Sequence, residues 1–234
     1  VYDRTSGLDV GALVTHHEIE TNKDVLSLYP VLAEGVKTIG SLQVRSRGTV
    51  GGNICTAAPS ADAVGPLLVL DAVCEIQGLS GRRTVPMAAF FTGPKMTVLQ
   101  DDEILTGIHI PCVPETYGSS YYKYGRRNAM EIALQTITAY VEVGSDGKTC
   151  SRIRVALGTS APTPIRASMT EQYYLGKDLS DEAVIAGGGD VVLKEATPRS
   201  SWRSSAGFRR DLLLRLVPRT VKRAYENIFE KGVR

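Results

Sequence analysis

The residues of this 234-residue chain best suited to chemistry lie in one run, Arg45-Ser46-Arg47-Gly48-Thr49-Val50-Gly51-Gly52-Asn53-Ile54-Cys55-Thr56-Ala57-Ala58-Pro59-Ser60-Ala61-Asp62. Three glycines in five positions leave backbone N–H groups unobstructed and permit positive φ. A loop of that kind can wrap a phosphate with main-chain donors. Thr49, Asn53 and Thr56 add short polar side chains, and Asp62 supplies an acceptor for a hydroxyl or a ring N–H. Taken alone, a glycine-rich turn between two elements is more often structural than functional. Two common nucleotide signatures are missing from the sequence. It has no Gly-x-x-x-x-Gly-Lys-Ser/Thr, and no strand–Gly-x-Gly-x-x-Gly–helix followed by an acidic residue.

Other chemistries have less to stand on. Cys55, Cys74, Cys112 and Cys150 lie 19, 38 and 38 residues apart, which is not the CxxC or CxC spacing of zinc or iron–sulfur ligands. His16, His17 and His109 do not complete a ligand set, so no metal site is expected and the cysteines read as separate reduced thiols. No residue stands out as a general acid, base or nucleophile for a substrate.

The elements around the run must position it. Leu8-Asp9-Val10-Gly11-Ala12-Leu13 suits a short strand, and Asn22 to Ile39 reads as helical with interruptions at Pro30 and Gly35. Ser41 to Gly52 is polar and glycine-rich, hence loop-like. Ser60 is a candidate cap for a helix through Asp62, Val64, Leu67, Leu68 and Leu70. Ala72–Gln77 and Glu103–Ile110 follow as strands, with a short helical turn over Pro86 to Phe91 between them. Pro111, Pro114 and Tyr117-Gly118-Ser119-Ser120 mark a domain boundary near residue 113, dividing the chain into 1–113 and 114–234.

Beyond the boundary, Leu134–Val143 and Arg152–Leu157 flank Gly144-Ser145-Asp146-Gly147, a hairpin signal. Ala186-Gly187-Gly188-Gly189-Asp190 reads as a loop after a helix. Phe208, Leu212 and Leu216 recur every four residues on a final helix, which Pro218 should kink or divide before Val221 to Phe229. Arg209, Arg210, Arg215, Arg219, Lys222 and Arg223 read as a solvated or subunit-contacting face of that segment.

Composition sets the class. With 43% hydrophobic and 22% charged residues, and no window near the ~18 apolar residues of a membrane span, the chain reads as soluble, globular and cytoplasmic. Its net charge of +2 is too small to make nucleic acid or a membrane surface the main partner. Val1-Tyr2-Asp3-Arg4 has neither an initiator Met nor a signal-peptide pattern, so Val1 reads as the start of a fragment or of an ordered segment.

At its full length the run carries a resemblance. Thr-Val-Gly-Gly-Asn-Ile, then Thr-Ala-Ala-Pro-Ser-Ala-Asp, then Pro-Leu-Leu-Val-Leu-Asp-Ala, resembles the second FAD-binding motif of the molybdenum hydroxylase flavoproteins. That family includes the medium subunit of carbon monoxide dehydrogenase and the flavin domain of xanthine dehydrogenase. Leu8–Leu13 is similar to the family's Ile-Gly-Ala strand, and Asp102-Glu103-Ile104-Leu105 to the strand beside the isoalloxazine. Tyr122-Lys123-Tyr124-Gly125-Arg126-Arg127 with Ile132-Ala133 is similar to the entry of the C-terminal domain. Trp202 to Arg210 resembles its final helix, with Phe208 in place of the usual Tyr.

The resemblance implies an α+β fold: a vanillyl-alcohol-oxidase-type (PCMH-type) FAD-binding lobe, then a CO-dehydrogenase-flavoprotein C-terminal domain with antiparallel sheet and helices. It implies that Thr49, Val50, Gly51, Gly52 and Asn53 contact the FAD diphosphate and ribityl region. Thr56, Pro59 and Asp62 follow further along the cofactor, Ile104 and Leu105 lie near the flavin ring, and Lys123 lies at its edge. The family's first FAD motif belongs upstream of the Ile-Gly-Ala strand. This sequence begins just before that strand, so about half of the pyrophosphate cradle is expected to lie outside it.

By the same resemblance, a separate molybdenum-cofactor subunit hydroxylates the substrate, and a [2Fe–2S] subunit relays electrons to FAD. The flavin then reduces NAD⁺ or another acceptor. Two other functions are open on the sequence: a scaffold subunit that has lost FAD, and a stand-alone flavin oxidase.

Overall fold

The computed structural model describes residues 2–3 and 5–230. Tyr2–Asp3 (β1), Gly7–Gly11 (β2), Val73–Gly78 (β3) and Gly81–Pro86 (β4) belong to one antiparallel sheet. A small hairpin, Phe91–Gly93 (β5) with Met96–Thr97 (β6), precedes the sheet's last strand, Ile104–Pro111 (β7). The order is β1-β2-β7-β3-β4, so the strand latest in sequence fills the centre. Register sets Leu8 against Ile110, and both Val10 and Cys74 against Ile108. Alternation then buries these side chains on one face.

Between β2 and β3 the chain forms six short helices: His16–Thr21 (α1), Lys23–Leu28 (α2), Pro30–Lys37 (α3), Leu42–Arg45 (α4), Val50–Cys55 (α5) and Val64–Val69 (α6). The interrupted helix expected over Asn22–Ile39 is therefore two helices. Asn22 caps α2, its Oδ1 accepting from Asp24 and Val25 N–H at 2.9 and 3.1 Å. Pro30 occupies the first position of α3, where its missing N–H has no intrahelical partner to lose. Ser60 does not cap α6; that helix begins after Ala63, with no side-chain cap.

Gly118–Tyr124 (β8), Gln135–Val143 (β9), Cys150–Gly158 (β10) and Ile165–Arg166 (β11) form a second antiparallel sheet in the order β11-β10-β9-β8. The β9–β10 hairpin closes over Gly144 to Gly147, where Asp146 Oδ1 accepts from Lys148 and Thr149 N–H at 2.9 Å each. Ser168–Tyr174 (α7), Glu182–Val192 (α8) and Ala206–Glu230 (α9) complete the chain.

The second sheet separates two cores. Tyr140 and Ala156 join a cluster with α3, α6 and the first sheet, whereas Ile137, Ala139 and Val141 pack with α8 and α9. Because β9 is covered on both faces, Gln135 through Val141 are all buried. Among the described residues, no helix is long and apolar enough to cross a membrane.

Two further expectations change. Ala186-Gly187-Gly188-Gly189-Asp190 lies inside α8, not in a loop. A Cβ at Gly188 would collide with the Tyr174 hydroxyl, which donates to Ile185 C=O at 2.7 Å, and one at Gly189 would collide with Leu214 C=O of α9. These glycines serve helix packing. Pro218 does not divide α9, which runs unbroken for 25 residues. Pro218 has no N–H to offer Leu214 C=O, and that carbonyl instead lies against Gly189.

Candidate functional site

The glycine-rich run folds as helix. Ser41–Gly52, expected as a loop, contains α4 and the start of α5, and Thr49 caps α5 with its Oγ1 accepting from Gly52 N–H at 3.1 Å. None of Gly48, Gly51 and Gly52 has positive φ. The run's backbone donors are also committed: Gly48 N–H bonds Val44 C=O at 2.7 Å, Val50 N–H bonds Val14 C=O at 3.0 Å and Gly51 N–H bonds Ala12 C=O at 2.9 Å. The main-chain phosphate nest expected from composition is therefore not formed. What the run requires is close approach. A Cβ on Gly51 would sit 2.7 Å from both the Cβ and the carbonyl oxygen of Ala12, so only glycine lets α5 lie on the end of β2.

Ala12 is a junction. Its N–H bonds Thr106 C=O of β7 at 3.0 Å while its carbonyl holds Gly51. This brings the Thr49–Asn53 helix beside the start of β7, where Ile104 is 64% exposed and Leu105 is buried. On α5 itself, Thr56 Oγ1 turns back to Gly52 C=O at 2.7 Å. Asn53 differs from its neighbours: its Oδ1 is buried and has no hydrogen-bond partner among the described residues. Such an acceptor costs free energy unless a donor completes its bonding.

A second assembly forms where α3, α6 and β8 meet. Asp62, buried just before α6, accepts from Lys123 Nζ and from the Tyr121 hydroxyl, each at 2.7 Å. Lys123 Nζ also donates to Thr38 C=O at 3.0 Å. Burial raises the Asp62 pKa, and the ammonium of Lys123 opposes that shift. Pro59 sits between the two assemblies in sequence; its carbonyl accepts from Thr159 N–H at 2.8 Å, fixing the run to the end of β10.

Sequence reasoning passed over two partners, Tyr121 and Thr38, and the burial of His16 and Arg209. Tyr121 and Thr38 complete the bonding of the Asp62–Lys123 pair. The alternation Ser119, Tyr121, Lys123 along β8 is the signal that would have put Tyr121 on that face. His16, 2% exposed, lies beneath Gly48, and its Nδ1 has no partner among the described residues. Burial, reinforced by Arg45, holds its pKa down to about 4. Arg209, read as part of a solvated basic face, is 5% exposed instead.

Comparison with known proteins bears on the whole chain. Residues 1–113 match the FAD binding domain in molybdopterin dehydrogenase, and residues 120–224 match the CO dehydrogenase flavoprotein C-terminal domain. The xanthine dehydrogenase FAD-binding subunit of Escherichia coli O157:H7 is 36% identical over 218 residues, covering 93% of this chain and 74% of that one. The carbon monoxide dehydrogenase medium chain of Hydrogenophaga pseudoflava is 31% identical over 225 residues, covering 96% and 77%.

Solved structures agree. Carbon monoxide dehydrogenase from Hydrogenophaga pseudoflava, in a form lacking the Mo-pyranopterin moiety, superposes with a TM-score of 0.89 at 29% identity, covering 94% of this chain and 75% of that one. Quinoline 2-oxidoreductase from Pseudomonas putida 86 gives 0.87 at 27% identity, with the same coverage of 94% and 75%. With both halves matched in order, and with the α5 run and the two-sheet architecture in place, this chain belongs to the FAD-binding medium-subunit family of the xanthine dehydrogenase and carbon monoxide dehydrogenase type.

Proposed function

We propose that this chain carries FAD as the electron-transfer subunit of a cytoplasmic molybdenum hydroxylase. Electrons reach it from the [2Fe–2S] clusters of one partner subunit, having left the substrate at a molybdenum cofactor held by another. They leave to NAD⁺ or another acceptor. Bound FAD would supply the redox chemistry, accepting electrons singly and passing them on in pairs.

The observation that carries this reading is Asn53. Its side-chain oxygen is buried and has no partner among the described residues, on the helix whose sequence resembles the family's FAD motif, a polar group left for a ligand to complete. Around it, Thr49 and Val50 open α5, Gly51 holds the helix against Ala12, and Gly52 and Thr56 offer an exposed edge with little side chain in the way. Ile104, exposed at the start of β7, offers an apolar surface to a ring, and buried Leu105 supports it. Asp62, fixed by Lys123 and Tyr121, is in this reading the acceptor for a cofactor hydroxyl or ring N–H through a remaining lone pair, and Pro59 sets the path of the chain between them. In this reading 1–113 belongs to the FAD-binding domain and 114–234 to the C-terminal domain. β7 ends at Pro111 and β8 begins at Gly118, which supports a division there.

The test is a visible absorption spectrum of the native complex, then denaturation and chromatographic identification of the released flavin. FAD that is bleached by the substrate to be hydroxylated and recolours on adding acceptor is the expected result. A colourless complex that takes up no added FAD would leave the chain as a scaffold.

A further inference from the structure

Three arginines near the start of α9 lack what buried or crowded cations ordinarily have, a carboxylate. Arg209, in the first turn of α9, is 5% exposed; one guanidinium nitrogen donates to Leu134 C=O and another reaches Ser201 Oγ at 3.4 Å, and its Nε has no partner among the described residues. It lines a cavity of about 70 Å³ together with Arg199, Arg203, Pro59, Ser60 and Ser201. Among the described residues, none of the three arginines forms a salt bridge. Glu131, the acid whose charge interacts with Arg203, is committed to Arg127 at 2.9 Å.

The surroundings are mostly positive, the Glu131 carboxylate being a counter-charge that reaches Arg203. Arg126 and Arg203 flank the ring of Trp202 at 5.1 and 4.4 Å, and no acidic residue occupies the first turn of α9. The N-terminus of a helix favours an anion on the same side. Arg199 and Arg203 both disfavour the charged form of Arg209, in addition to its burial. Guanidinium does not deprotonate in proteins, so an anion at the cavity would relieve this crowding, which at the exposed Arg199 is met by water. The cavity, about 70 Å³ and bordered by the exposed Arg199, holds roughly two waters at ~30 Å³ each, a size for one phosphate group with whatever it is attached to left outside.

We propose that Arg199, Arg203 and Arg209 form a binding site for a phosphate group, carried by a nucleotide or arriving as free phosphate or pyrophosphate. The guanidinium forks match phosphate oxygens, and the hydroxyls of Ser60 and Ser201 stand at the same cavity to complete them. The site does not depend on the flavin reading, because none of its residues is assigned to FAD except Pro59 at its wall.

Calorimetric titration of the full chain with inorganic pyrophosphate, at ionic strength matched with chloride, tests this. Trp202, the chain's one tryptophan, gives an independent signal beside Arg203. Saturable binding is expected, weakened about tenfold or more in R199Q/R203Q and retained in R210Q, whose side chain is exposed beside the cluster. R209K, which keeps the charge but loses the fork, should weaken binding while leaving the fold intact by circular dichroism. Displacement of pyrophosphate by ADP would assign the site to a nucleotide; pyrophosphate binding that ADP does not displace would assign it to the inorganic ion. Absence of saturable binding, or equal binding by R199Q/R203Q, would overturn the proposal. Flavin absorbance recorded on the same samples separates this outcome from loss of FAD.

Discussion

Asp62 and Arg209 are buried to nearly the same degree, at 7% and 5% exposure, but differ in the bonding they find. Asp62 is matched inside the chain: Lys123 and the Tyr121 hydroxyl reach it at 2.7 Å, and Lys123 is itself held by Thr38 C=O. Arg209 meets only neutral oxygens, and the charges nearest to it are two more arginines. His16 is a third case. It is 2% exposed, its Nδ1 has no partner among the described residues, and it stays neutral at pH 7 instead of finding a counter-ion. A folded chain can bury an ionisable group by pairing it, by discharging it, or by leaving its partner to be supplied from outside. The three cases should respond differently to the same kind of perturbation.

The paired case should be the most costly to break. Asp62→Ala strands the Lys123 ammonium in a buried setting, and we expect a loss of about 3–5 kcal/mol in urea unfolding. The double substitution D62L/K123M should recover most of that loss, since packed apolar groups replace a buried pair at little net cost. Equal destabilisation by the single and double variants would mean that packing, not the charge pair, dominates at this junction.

The discharged case should appear in the pH dependence. The folded-state pKa of His16 is lowered from 6.5 to about 4, first by burial and then by Arg45, with Glu20 opposing. The unfolded chain therefore takes up the proton before the folded one does. Stability is fully present above 6.5 and is lost as pH falls through 6.5 toward 4, by about 3 kcal/mol at most. His16→Gln should flatten the difference in stability between pH 7 and pH 5 relative to the parent chain, measured by denaturant titration. A parallel pair of curves would place the proton uptake elsewhere.

The unmatched case should be the mildest of the three. Arg209→Met gives up the bonds to Leu134 and Ser201 but also removes a cation that Arg199 and Arg203 repel. A cost of about 1–2 kcal/mol is expected without added anion. Pyrophosphate should raise the melting temperature of the parent chain and not of this variant. A loss as large as that of Asp62→Ala would show that Arg209 is a structural brace, and the contrast would collapse.

These differences explain which parts of the molecule could be read in the sequence. The β9–β10 hairpin was legible because Asp146 and Gly147 are short-range turn chemistry, and β3 and β7 because their alternation faces one core. The helical state of Val50–Cys55 was not. Glycine pairs argue against helix locally, and it is Val14 and Ala12, distant in sequence, that accept the first N–H groups of α5. The same holds for Gly187–Gly189, whose helix is set by contact with Tyr174 and α9. Arg209 looked like one more cation on a basic helix face. That it is buried, and that no carboxylate meets it, are facts of tertiary placement which no spacing along the chain encodes.

The smallest expected effect on stability bears most directly on the cofactor face. Gly51 and Gly52 are adjacent and equally suggestive in sequence, but only Gly51 is needed by the fold, since its Cβ would strike Ala12. A Cβ on Gly52, which is exposed, would meet only the Thr49 hydroxyl at 3.0 Å. Alanine is also the better helix former by about 0.8–1 kcal/mol, so Gly52→Ala should shift unfolding by less than about 1 kcal/mol in either direction. If the exposed edge of α5 faces FAD, the same variant should release flavin more readily on gel filtration while its melting curve in the flavin-free state stays close to the parent's. Flavin retention equal to the parent's would mean that the cofactor does not approach α5 at Gly52. The buried, unpartnered oxygen of Asn53 would then need another explanation.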